Sequence, residues 1–140
     1  MVYELRFEDL LLYDAGDVGI TVPIMIRRHQ DFVRLDAKLD TGASYCIFER
    51  AHGEQLGLDI ESGHPERFGT AMGAFLAYGH AVTLSVSNFE FDIVAYFAAD
   101  EAFIRNVLGR HGFLDRVLIG LDDYAGKFYL QRNGDDFETE

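Results

Sequence analysis

LDAKLDTGASYCIF, residues 35–48, places a carboxylate between two apolar runs. LDAKL has the pattern of an extended strand. The chain then turns through Asp40-Thr41-Gly42-Ala43 and returns at once to core-type residues. A charge flanked so closely by apolar chain is costly unless hydrogen bonds, a proton or a functional role stabilises it. Asp40 could also be a plain turn residue, since Asp and Gly are common where strands end. The surroundings separate the two readings.

Working outward, short strands dominate. GITVPIMI (19–26) and FVRLDAKLD (32–40) flank the polar link RRHQD and predict a hairpin. HAVTLSVSN (80–88) and FEFDIVAYF (89–97) predict a second, bending near Ser87-Asn88. RVLIGLD (116–122) and KFYLQR (127–132) predict a third around DYAG. The run RFGTAMGAFLAYGH (67–80) predicts another, with Met72-Gly73 near its tip. Helical signal is sparse: ERAHGEQLGL (49–58) is weakened by Gly53, and RHGFLDR (110–116) by Gly112. This pattern predicts an all-β fold, a closed or partly closed β-barrel with one or two short helices. Phe89, Phe91, Tyr96 and Phe97 are expected in the core and on a sheet face.

With 140 residues, 49% hydrophobic and 14% aromatic, the chain can bury the core of one domain. A net charge of −12 argues against binding nucleic acid, whose phosphates would be repelled. No apolar run is long enough to cross a bilayer, and the opening MVYELRFEDL lacks the basic and apolar regions of a signal peptide. The single Cys46, between Tyr45 and Ile47, allows no intramolecular disulfide and reads as a small buried hydrophobe. Together these features predict a soluble, cytoplasmic protein without nucleic-acid or membrane partners.

The five histidines, at 29, 52, 64, 80 and 111, show no i, i+4 pairing with one another and no accompanying cysteine or acidic cluster, so no metal site is expected. There is no Walker-type Gly-Lys-Ser/Thr and no complete dinucleotide fingerprint, so no cofactor is expected either. DDFETE, at the end of the chain, lacks the alternating ligands of a calcium loop. Ser44 lacks the context of a nucleophile elbow.

A second element lies downstream: RNVLGRHGFL (105–114) holds two aliphatics, Val107 and Leu108, followed by Gly109 and Arg110, with a helix expected next. Asp40-Thr41-Gly42-Ala43 at a strand end, followed far downstream by Val107-Leu108-Gly109-Arg110, resembles the retropepsin-like aspartic proteases, single-domain relatives of pepsin and of the retroviral proteases. The glycine-containing segment FGTAMGAFLAYG between them is similar to the family's flap hairpin. The resemblance runs from about residue 19 to 130 of a single domain spanning 1–140. It leaves 1–18 as an N-terminal extension and 133–140 as a solvated acidic tail. In retroviral enzymes the chain ends build the dimer sheet, so these ends put that interface in question here.

The resemblance implies a barrel of the acid-protease type and an aspartic endopeptidase acting on peptides or proteins. Hydrolysis without metal or covalent intermediate needs a general base for water and a general acid for the carbonyl oxygen. Two carboxylates about 3 Å apart can supply both, because they cannot ionise together and titrate as a unit. This chain has one Asp-Thr-Gly. The mechanism therefore implies a homodimer with one Asp40 from each chain on the twofold axis.

Asp40, Thr41 and Gly42 would form the catalytic loop, with Gly42 turning a backbone N–H toward the carboxylate and Thr41 hydrogen-bonding across the dimer. Ala43 stands where many pepsins carry Ser or Thr, which implies an activity optimum at weakly acidic or neutral pH. Gly109 would let the helix pack under the loop, and Arg110 would form a structural ion pair. Ala71, Met72, Gly73 and Phe75 would cover the substrate from the flap, although Gly73 suits an ordinary hairpin equally. Two other functions are compatible with the pattern: a protease-like dimer that binds peptides without cleaving them, and a scaffold whose strand edges recruit a partner.

Overall fold

The computed structural model describes residues 1–71 and 73–133. The expected hairpins form. β2 (Thr21–Arg28) pairs antiparallel with β3 (Asp31–Leu39) from Thr21↔Lys38 to Arg28↔Asp31. Two residues, His29 and Gln30, make the turn, with His29 at a φ of 57°. Primed two-residue turns favour such positive angles because they match the twist of the strands. Alternation fixes the inward face: Val22, Ile24 and Ile26 are buried while Pro23 and Met25 are not.

β5 (His64–Thr70), β6 (Gly73–Val86) and β7 (Phe89–Ala98) form an antiparallel meander. β6 serves two structures. Its second half pairs with β2 from Ile24↔Val86 to Arg27↔Thr83, whereas its first half pairs with β5. Two short strands complete the sheet, β4 (Ile47–Phe48) and β8 (Val107–Leu108). β8 lies between β3 and β4, parallel to the first and antiparallel to the second, and β4 runs parallel to β7. The strand order is β2-β3-β8-β4-β7-β6-β5, and the β2–β6 pairing closes the first six into a ring. The fold is therefore all-β and barrel-like, with the β5–β6 hairpin extending from it.

The core fills the ring with Ile26, Phe48, Leu84, Phe97, Leu108 and Phe113, each buried. Phe89, Phe91 and Tyr96 are buried as well. α1 (Arg50–Gln55) follows β4 where 49–58 predicts a helix, and a 3-10 turn follows at Ile60–Ser62. No helix among the described residues is long and apolar enough to cross a membrane.

Two features differ from expectation. The helix predicted over 110–116 does not form. Gly112 adopts a φ of 108°, outside the helical region, and its N–H donates to Asp115 Oδ1 at 3.0 Å. The N–H groups of Leu114 and Asp115 reach back to the Gly109 and Arg110 carbonyls, so the segment winds through turns. The segment before residue 19, meanwhile, contains a strand. β1 (Asp9–Leu12) pairs antiparallel with β10 (Lys127–Arg132), which pairs with β9 (Val117–Asp122), giving a three-stranded sheet. Residues 134–140 of the expected acidic tail lie outside the described residues.

Candidate active site

Asp40 follows the last residue of β3, where the strand leaves the ring. Its backbone N–H donates to the Leu108 carbonyl at 3.0 Å, tying the turn to β8. The Gly42 N–H donates to Asp40 Oδ1 at 2.9 Å, and the Ala43 N–H to the Asp40 carbonyl at 3.2 Å. The Gly42 N–H gives the half-buried carboxylate a partner, and the two backbone bonds fix the turn that carries it.

The Val107–Arg110 element braces the same loop from below. Arg110 N–H donates to the Ala43 carbonyl at 2.9 Å and His111 N–H to the Ser44 carbonyl at 2.8 Å. Gly109 sits between them, buried, where a Cβ would fall 2.7 Å from the Ala43 oxygen. The glycine serves close backbone contact between two turns, not contact between a helix and a loop. Arg110 acts through its backbone: its side chain is exposed and makes no ion pair among the described residues, in place of the expected structural one. Asn106, not flagged by the sequence, links the adjoining segments. Its carbonyl accepts from Lys38 N–H at 2.8 Å and its Oδ1 from Glu49 N–H at 3.0 Å.

Asp40 opens onto two cavities. One, of about 380 Å³, lies toward the β5–β6 hairpin and is lined by Gly42, Ala43, Tyr45, Phe68, Phe75 and Phe103 among others. The second, of about 450 Å³, runs past Thr21, Lys38 and Ile104. Asp40, Arg105 and Val107 form the wall common to both. The aromatic side is continuous: Phe68 and Phe75 stack at 5.4 Å between centroids, Phe75 and Phe103 at 4.6 Å, and Tyr45 meets Phe68 edge-on. Tyr96 packs behind Tyr45, and burial raises its phenol above the usual range. A larger cleft of about 850 Å³, past Arg27, His80 and Arg116, contains none of these residues.

Of the residues singled out in the sequence, Asp40, Gly42, Ala43, Phe75 and Val107 therefore share one cavity. Thr41 is exposed beside it, and its hydroxyl has no intrachain hydrogen bond among the described residues. Leu108 is buried in the core beneath. Ala71 and Gly73 are exposed at the hairpin tip, where Thr70 Oγ1 donates to the Gly73 carbonyl at 2.7 Å. Met72 lies outside the described residues. Sequence reasoning missed Tyr45, Phe68, Phe103 and Arg105. The available signals were an aromatic opposite Phe75 in the hairpin and two side chains just before Val107-Leu108-Gly109.

Cys46, one residue beyond Tyr45, is fully buried, and burial pushes its thiol up to about 11. It has the character of a packing residue rather than a nucleophile.

This fold and loop are those of aspartic proteases. The family model for aspartyl proteases matches residues 22–122, so the chain belongs to that family. Among solved structures it is similar to a retropepsin-like aspartic protease from Rickettsia conorii, with 18% identity and a TM-score of 0.66 over 90% of this chain and 99% of that one. It is also similar to EIAV protease complexed with the inhibitor HBY-793, at 20% identity and a TM-score of 0.54 over 71% of this chain and 88% of that one. None of the curated proteins matches the chain.

Proposed function

We propose that the protein is an aspartic endopeptidase that works as a homodimer, each chain contributing Asp40 to a dyad on the twofold axis. The observation that carries this is the placement of one braced Asp40 per chain on the wall shared by two cavities. A second copy related by a twofold axis through this wall would bring the other carboxylate into the same cleft. In the dyad the ionised carboxylate takes a proton from water as it attacks the scissile carbonyl, while the protonated partner donates to the carbonyl oxygen. The Gly42 N–H holds Asp40 Oδ1 in place without a side chain. Thr41, exposed and without a partner for its hydroxyl among the described residues, is available to bond across the axis.

The β5–β6 hairpin serves as the flap. Residues 73–75 have only β5 beside them, because the pairing with β7 begins at Ala77. Such a two-stranded arm can move while the ring behind it stays closed. The chain ends add to the interface in a different way from the retroviral pattern: β1 and β10 already pair within one chain, leaving the outer edges of β1 and β9 able to accept a strand from the second subunit.

Cleavage of a random peptide library by a dimer verified in solution, abolished in Asp40→Asn with the dimer intact, is the expected result. A verified dimer that cleaves nothing would replace this function with the alternative, a silent module that binds peptides or a protein partner. Symmetry-related Asp40 carboxyls far apart in the native assembly would remove the dyad itself.

A further inference from the structure

Arg105 has no part in the hydrolysis just described, yet it stands with Asp40 and Val107 on the wall between the cavities. A peptide crossing Asp40 passes Arg105 whichever cavity a side chain enters. Arg67, on β5, lines the hairpin-side cavity. Both side chains are exposed, and among the described residues neither makes an ion pair or a side-chain hydrogen bond. Arg27, Arg50 and Arg116 each have a carboxylate partner. Arg110 also lacks an ion pair among the described residues, so what sets Arg105 apart is its place on the wall between the two cavities beside Asp40.

The charges around them are mixed. Glu66 lines the hairpin-side cavity and lies 3.8 Å from His64 Nε2; Asp36 and Lys38 line the other cavity. An acidic substrate side chain entering near Asp40 would be repelled unless a cation faced it, and Arg105 provides that cation. The half-buried aromatic wall of Tyr45, Phe68, Phe75 and Phe103 gives the cavity an apolar side, beside which a charge contact is stronger than in bulk water. A guanidinium also matches a carboxylate geometrically, through paired N–H donors.

Resting on the proposed peptide-binding cleft, the geometry points to Arg105, supported by Arg67, as a specificity residue for acidic peptides. The preferred substrate carries Asp or Glu within about two residues of the bond over Asp40, a span of roughly 7 Å in an extended chain. Its apolar neighbours occupy the aromatic side.

Paired fluorescent peptides, identical except for Glu or Gln at successive positions, test this by anisotropy on the Asp40→Asn dimer. Hydrolysis of the same pairs by the unmodified protein runs in parallel. The Glu peptide is expected to bind about tenfold more tightly at one or more positions, the size of one charge-assisted contact. Arg105→Gln should erase most of that ratio, and Arg105→Glu should invert it toward a Lys peptide. Arg34→Gln makes the same charge change over Phe32, on a different cavity, and should leave the ratio as it is. Equal binding of both members of every pair, binding of neither, or a Glu preference surviving in the Arg67→Gln/Arg105→Gln double variant would overturn the assignment. A Glu preference without hydrolysis supports it while overturning the endopeptidase; hydrolysis without that preference does the reverse.

Discussion

Gly109 lies so close to the backbone of Tyr45 that a Cβ on it would stand 2.3 Å from the Tyr45 carbonyl oxygen. The contact is backbone to backbone, so no side chain can rotate away to relieve it. Gly109→Ala is expected to destabilise the fold by about 1–3 kcal/mol, the range for overpacking a well-packed site. Urea unfolding gives the value. Because the displaced turn also anchors Ala43 and Ser44, peptide cleavage should fall further than the fraction unfolded predicts. An unchanged urea midpoint would contradict the close packing.

Ala43 lines the cavity next to Asp40 and brings no hydroxyl to it. A serine there could hydrogen-bond the ionised carboxylate and favour it over the protonated form. The Ala43→Ser variant is therefore expected to keep its ionised catalytic base to lower pH. The acid limb of the kcat/KM profile should move toward more acidic pH. A limb that stays put or moves upward would show that position 43 does not address the proposed dyad.

Arg50, at the start of α1, donates to Glu61 Oε1 at 2.7 Å, joining the helix to the 3-10 turn. This hydrogen bond and charge hold Glu61 below the ordinary glutamate value of 4.5. A lowered carboxyl stabilises the fold above its unfolded value and loses that contribution as pH falls through the folded one. Glu61→Gln should lower the Tm at neutral pH, and the gap to the parent should narrow as pH drops below 4.5. A gap that is constant with pH would mean that the ion pair adds nothing beyond the amide's own contacts.

Cys46 gives the opposite limb. Its thiol moves from an ordinary value of 9.0 to about 11 on burial, so the fold keeps it neutral where the unfolded chain would ionise it. Stability should fall as pH rises across that interval, and Cys46→Ala should lose less over it. In the native state a thiol reagent should modify Cys46 only at the rate of opening. Fast stoichiometric labelling at neutral pH would contradict its burial.

What the sequence made legible was what alternation and turn chemistry encode. The β2–β3 hairpin announced itself through Val22, Ile24 and Ile26 at period two and a polar link, and Ser87-Asn88 marked the next bend. β4 and β8 were invisible because each has two residues, too few for a period, and their antiparallel pairing sets Ile47 against Val107, far apart in the chain. β1 escaped notice because the apolar run Leu10-Leu11-Leu12 has no local partner; its ladder lies on β10. The helix expected after Gly109 failed because Gly112 takes a positive φ and Asp115 captures its N–H. Asp40 and Gly42 were legible as a motif. The aromatic wall and Arg105 were not, since β5, the turn before β4 and the segment before β8 meet only once the ring closes.

The pairing of β1 with β10 also governs the order of assembly during synthesis. The hairpins of the ring can form as soon as their second strands leave the ribosome, whereas Asp9–Leu12 must wait until Lys127–Arg132 has emerged. Until then Leu11, which packs against the core in the finished fold, stays open to chaperones and to other nascent chains, whereas Leu10 and Leu12 are exposed in the fold itself. β10 thus gives Leu11 its place against the core.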